Sequence, residues 1–104
     1  MKLSRLILAN AILLLLTAVV FAADQEAQDL YKSHCQSCHG ASGKATAIGK
    51  KLGAKDFQDP DVVKLSEAGL TNVIAEGKNK MPPYKGKLTD DQIKALAQYI
   101  KEMK

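Results

Sequence analysis

Apolar residues follow two regimes along this chain. From Leu6 to Phe21 nearly every position is apolar, interrupted only by Asn10 and Thr17. After Asp24, stretches in which apolar residues recur every three or four positions, the spacing of one helix face, alternate with stretches that have no such pattern. Asp24 is placed to cap a first helix, with Glu26 acidic in its first turn. Ala27, Leu30 and Tyr31 follow on one face, and at the same pitch that face reaches Cys35 and Cys38. The pattern predicts one helix from Gln25 to Cys38. Residues 40–58 then hold Gly40, Gly43, Gly49 and Gly53, which break any periodicity, and no apolar run long enough for a strand. They read as loop, with Leu52 and Phe57 as inward pins and Lys50, Lys51 and Lys55 facing water.

Asp59-Pro60 has the form of an N-cap followed by a first helical residue, opening a short helix with Val62, Val63 and Leu65. Ser66 is a second N-cap. Leu70, Val73 and Ile74 give the i, i+3, i+4 stripe of a helix that stops at Gly77. Residues 78–88 form a second loop. The last helix is the most strongly signalled. Thr89-Asp90-Asp91-Gln92 is a capping box, and Leu88 with Ile93 fits a hydrophobic staple. Ile93, Leu96, Ala97 and Ile100 make its buried stripe, and Lys101 and Lys104 suit the C-terminal dipole. The expected class is all-α, in one domain and without an internal repeat.

The first regime is a leader. Lys2 and Arg5 supply a positive start, the apolar run follows, and Val20-Phe21-Ala22 or Phe21-Ala22-Ala23 offers small residues for cleavage. Residues 1–23 are expected to be a signal peptide, cut after Ala22 or Ala23, leaving 24–104 as the working domain. A retained anchor fits less well. Leu6 to Ala23 is at the short end of what spans a bilayer, and Asp24 and Glu26 follow it instead of a basic flank.

Removing the leader changes the charge. The full chain is +4, with 15 basic and 11 acidic residues; without Lys2 and Arg5 the domain holds 13 lysines, for +2. No arginine remains to grip phosphate with a bidentate fork. Neither nucleic acid nor, once the leader is gone, a membrane is expected as a partner. A domain of about 80 residues is also small for a hydrophobic core of its own.

Cys35-Gln36-Ser37-Cys38-His39 is the chemical centre of the sequence, and it holds both cysteines of the chain. Two thiols three apart with an imidazole directly after the second form the attachment pattern of a c-type haem. On a helical turn both sulfurs share a face and the histidine lies close to it, so thioethers could fix the porphyrin while His39 fills one axial position. A redox dithiol would need a βαβ setting, and no strand pattern is present. Zinc would need four ligands with room between them, which Cys35, Cys38, His34 and His39 lack. A disulfide across so short a loop would stabilise little. His34 reads as a surface residue at a helix end. Haem would also supply the apolar centre that the chain lacks.

A second axial ligand is sought among the methionines. Met81 lies 42 residues after His39 and precedes Pro82 and Pro83, which stiffen the segment. Met103, in the last helical turn, is better placed for packing. Met81 is therefore expected to be the sixth ligand, completing the His/Met pair.

With these residues in view, the whole chain after the leader resembles a small bacterial class I cytochrome c. Cys35-Gln36-Ser37-Cys38-His39-Gly40, the glycine-rich loop to Lys55-Asp56-Phe57, Lys80-Met81-Pro82 and the Leu88–Met103 helix carry the resemblance. It implies a cytochrome c fold, three to five short helices and loops wrapped round one covalently attached haem. It also implies that Ala27 and Tyr31 meet Leu96 and Tyr99 where the first and last helices cross. Many relatives carry a proline in the loop after the histidine, whose carbonyl accepts from the imidazole; Thr46-Ala47-Ile48 stands there instead. No tryptophan is present to bond a haem propionate, which leaves Tyr84 or a lysine for that place.

The resemblance implies one-electron transfer. With both axial positions filled, iron has no open site for substrate, so the protein is expected to be a carrier and not an enzyme. The expected setting is the periplasm, as a monomer, between a donor dehydrogenase or cytochrome complex and an acceptor oxidase or reductase. The alternatives are a haem c subunit of a dehydrogenase complex or, if Met81 is not a ligand, a five-coordinate gas-binding haem protein.

Overall fold

The computed structural model describes residues 2–103. The expectations for Met1 and Lys104, and for the side chains of Lys2 and Val20, fall outside what is described. The N-terminal apolar stretch and the first predicted helix form one continuous element, α1 (Lys2–His34). In the leader Ile7, Leu14 and Phe21 are well exposed. Among the described residues this is the one helix long and apolar enough to cross a membrane. Asp24 sits inside α1 and does not start a helix, because the apolar stretch before it continues into the same helix without a break.

The predicted helix through Cys38 is corrected at its other end. α1 stops at His34 and a separate turn, α2 (Gln36–His39), follows. Cys35 loosens the backbone between them, with φ −116° and ψ −37°. In an unbroken helix the Cys38 N–H would reach the His34 carbonyl; here it donates to the Cys35 carbonyl at 3.2 Å, as does His39 N–H at 2.9 Å. The His34 carbonyl accepts instead from the Tyr84 hydroxyl, 3.1 Å away.

Residues 40–58 are not all loop, since α3 (Ala47–Lys51) lies within them. Its five residues carry no apolar stripe. Thr46 organises it by accepting from Gly49 N–H at 3.1 Å and donating to the Ser37 carbonyl at 2.7 Å. The turn therefore forms against α2 and not by its own propensity. Gly49 is required at that contact, because a Cβ there would collide with the Cys38 carbonyl. Lys50, Lys51 and Lys55 are exposed as expected. Leu52, expected to point inward, is 45% exposed.

The later caps form as predicted. Asp59 accepts from Asp61 N–H at the start of α4 (Pro60–Val63), and Ser66 from Gly69 N–H at the start of α5 (Glu67–Glu76). Gly77 ends α5 with φ 75°, a left-handed value that glycine adopts without strain. Both halves of the capping box form at the start of α6 (Asp90–Glu102). Among the described residues there is no β-strand, and the class is all-α as expected. Six helical segments result, two of them single four-residue turns.

α6 packs on both α1 and α5. Ile93, Leu96, Ala97 and Ile100 are all buried and meet Tyr31, Leu70 and Ile74 in one cluster. Tyr31 stands edge-on to Tyr99, ring centroids 5.4 Å apart, and Ala27 is buried nearby. The eight buried hydrophobic residues among those described, each large one worth roughly 1.5–3 kcal/mol, are few for a domain of this length. Further apolar side chains, among them Leu52, Val62, Leu65 and Val73, line a cleft.

Candidate functional site

The cleft has a volume of about 430 Å³. Leu70, Val73 and Ile74 of α5 give it apolar lining, and Lys55, Lys78 and Lys80 bring charge to it. Cys35, Cys38, His39 and Met81 all line it. Four predicted site residues drawn from two distant stretches are thus brought to one cavity. His34 also borders it but is exposed at the end of α1. Met103 is half-buried and packs against the core cluster, away from the cleft.

The Cys35–His39 turn is held from several sides. Tyr31, buried in α1, donates its hydroxyl to the Gly40 carbonyl at 2.6 Å. Thr46 N–H donates to the Cys38 carbonyl at 3.0 Å. Phe57 stacks on His39, with ring centroids 5.0 Å apart. The Phe57 N–H donates to the Gly43 carbonyl at 2.8 Å, and Ala45 N–H donates to the Asp56 carboxylate at 2.8 Å. The glycine-rich segment is therefore a collar around the histidine.

Burial sets the protonation of these groups. It pushes the Cys35 thiol up to about 11, so the thiol is neutral at pH 7. It lowers His39 below the ordinary histidine value, which keeps the imidazole neutral with a lone pair for a metal. The Tyr31 hydroxyl is pushed up, mainly by burial and further by Cys35 and Tyr99. Nδ1 of His39 is buried and has no hydrogen-bond partner. That leaves Nε2 as the nitrogen available to the cleft.

Sequence reasoning missed three contributors. In the sequence Thr46 only stands where many relatives carry a proline. Phe57 was an inward pin, not a partner of the imidazole. Tyr84 was a candidate for a propionate, whereas its hydroxyl is given to the His34 carbonyl. Each contact joins positions at least eight apart, so no local pattern announces it.

A family model described as cytochrome C oxidase, cbb3-type, subunit III matches residues 22–100. A solved structure, the KustC0563 c-type cytochrome, is 38% identical with a TM-score of 0.70, over 75% of this chain and 96% of that one. The chain belongs to the small class I c-type cytochromes. Cytochrome c6 of Thermosynechococcus vestitus is 31% identical over 89% of this chain and 82% of its own length. Cytochrome c6 of Gracilaria tenuistipitata var. liui is 32% identical over 79% and 75%. As a member of this family the protein is a monohaem electron carrier with one covalently bound haem c. The cleft fits that cofactor: two half-buried thiols, a neutral imidazole with one nitrogen free, and apolar lining.

Proposed function

We propose that Cys35 and Cys38 hold the haem as thioethers, and that His39 and Met81 are its two axial ligands. The carrying observation is that all four line one cleft although Met81 lies far along the chain from the others. When bound, haem supplies a one-electron couple. His39 would offer Nε2 of an imidazole that burial keeps neutral and the Phe57 ring steadies. Met81 would offer a soft sulfur, which favours the ferrous state and raises the potential. Two protein ligands would leave no position for substrate, so the protein transfers electrons without converting anything.

Residues 1–23 are read as a cleaved signal peptide and 24–104 as a periplasmic domain that works as a monomer. The leading charges, the exposed apolar stretch of α1 and the small residues at 22 and 23 support the signal peptide. Its partners would be redox proteins, a donor dehydrogenase or cytochrome complex and an acceptor oxidase or reductase. A free carrier is favoured over a haem subunit of a dehydrogenase complex because the match extends over 82% of a cytochrome c6 chain and 96% of a single small c-type cytochrome. The visible spectrum of the ferric holoprotein tests the ligand set. A weak Met–iron band is expected; its absence would favour a five-coordinate, gas-binding haem.

A further inference from the structure

The segment carrying Met81 is fastened to its surroundings at few points. Lys78 N–H donates to the Met81 carbonyl and Met81 N–H to the Lys78 carbonyl, at 3.1 and 2.9 Å, closing a tight turn on itself. Pro82 and Pro83 contribute no donors. Tyr84 N–H and Lys85 N–H then donate to the Ile74 and Ala75 carbonyls, each at 3.1 Å, tying the segment to the last turn of α5. The amides of Lys87 and Leu88 return to the Tyr84 carbonyl. All of these bonds lie within the segment or run to α5. Among the described residues, one hydrogen bond links residues 78–88 to the stretch that carries Cys35. It runs from the Tyr84 hydroxyl to the His34 carbonyl at 3.1 Å, across 50 positions.

We propose that Tyr84 is a positioning residue whose hydroxyl latches the Met81 segment to the end of α1. The acceptor is suited to the task. Carbonyls in the last turn of a helix have no partner within it, and the Cys38 N–H that would continue the helix has turned to Cys35 instead. The Tyr84 ring supports the latch, standing edge-on to the His34 ring at 5.7 Å with the Lys87 ammonium 5.8 Å from its centroid. The residue before Cys35 and the residue three after Met81 therefore share one bond. Opening the 78–88 segment must break it. Resting on the reading of Met81 as a ligand, the latch keeps the thioether at the iron and keeps other ligands out.

The test is Tyr84→Phe in the haem-loaded protein, which retains the ring and removes the bond. Loss of one hydrogen bond of ordinary net strength raises the open population about five-fold. Cyanide should bind the ferric variant about five-fold faster. The amides of position 84 and of Lys85 should exchange faster by a similar factor, while those of Leu96 and Ala97 in α6 keep the parent's rates. Made in a Met81→Ala background, the same substitution should leave the cyanide rate unchanged. The latch is overturned if exchange at position 84 and Lys85 matches the parent. It is also overturned if Leu96 and Ala97 accelerate equally, or if cyanide binding still rises five-fold without Met81. A parent protein lacking the Met–iron band would instead remove Met81 as ligand, and the amide rates alone would then decide the latch.

Discussion

The ring of Phe57 lies against the imidazole of His39, centroids 5.0 Å apart and planes 30° from parallel. Because Nδ1 of His39 is buried without a partner, the ring is held by packing and not by a hydrogen bond. Gly43 sits behind Phe57 with φ +82°, and a Cβ there would come within 2.7 Å of the Phe57 ring. Phe57→Leu should cost about 1–3 kcal/mol of holoprotein stability through the space it leaves. Gly43→Ala should cost a similar ~1–3 kcal/mol from backbone strain while pushing Phe57 off the imidazole. Chemical denaturation measures both costs. Low-temperature EPR of the ferric iron should shift in both variants; identical spectra would mean that Phe57 does not orient His39.

The parts of the fold that were legible are those specified within about one helical turn. Thr89 and Gln92 form both bonds of the capping box, and Ile93, Leu96, Ala97 and Ile100 are the buried face. Asp59, Ser66 and Gly77 likewise end helices where their local chemistry says they should. The break at Cys35 was invisible because the apolar spacing runs straight through it, and the competing partner for the His34 carbonyl comes from Tyr84. α3 was invisible because Thr46 folds it against Ser37, and its own residues have no periodic pattern. Leu52 read as a pin because it is apolar, yet it stands at the cleft, where bound haem would give it a surface to cover. The motif identified the attachment chemistry, while the collar that holds it required the three-dimensional arrangement.

Cys35→Ser combined with Cys38→Ser should abolish covalent attachment. No haem should survive acid–acetone extraction. Much of the helical signal should also be lost, because the eight buried hydrophobic residues among those described give a thin core for a domain of this size. A double variant that keeps native helix content by circular dichroism, with haem still resistant to extraction, would end the thioether assignment.

The secreted protein should begin at Ala23 or Asp24. In the full chain α1 continues unbroken from the leader into the domain, with Ile7, Leu14 and Phe21 exposed. Such a surface is tolerated in water only if it is removed or inserted in lipid. The intact mass of the purified holoprotein checks this. A mass that includes residues 1–21 would identify a retained anchor instead.

Lys78 and Lys80 border the cleft and have no ion pair among the described residues. Lys55 and Lys64, by contrast, both meet Asp61, and Lys85 stands 3.9 Å from Glu76. The free charges are placed to steer an acidic redox partner, an effect that acts over distance and weakens with salt. Lys78→Glu with Lys80→Glu should slow association with such a partner by about ten-fold at low ionic strength. The difference should shrink as salt is added. Stopped-flow electron-transfer rates that stay flat with salt in both proteins would show that these lysines are only a solvated surface.

Met81→Ala separates the two sides of the cleft. Cys35, Cys38 and His39 are untouched, so haem should remain attached and resist extraction. The soft sulfur that favours ferrous iron is gone, so the midpoint potential should fall, since axial ligation is a principal lever on it. The sixth position should open to water or added ligand, and cyanide or carbon monoxide should bind much faster than in the parent. Stability should fall as well. Residues 78–88 would then rely, among the described residues, on the packing of Tyr84 and Leu88, the bonds to Ile74 and Ala75, the turn at Lys78, the Lys85–Glu76 pair and the Tyr84 hydroxyl, and segments with few ties open readily. Faster amide exchange should therefore be confined to that segment. A variant that keeps the parent's potential and ferric spectrum would show that Met81 is not the ligand. The search would then pass to His34, exposed at the edge of the same cleft, because Met103 is committed to the core.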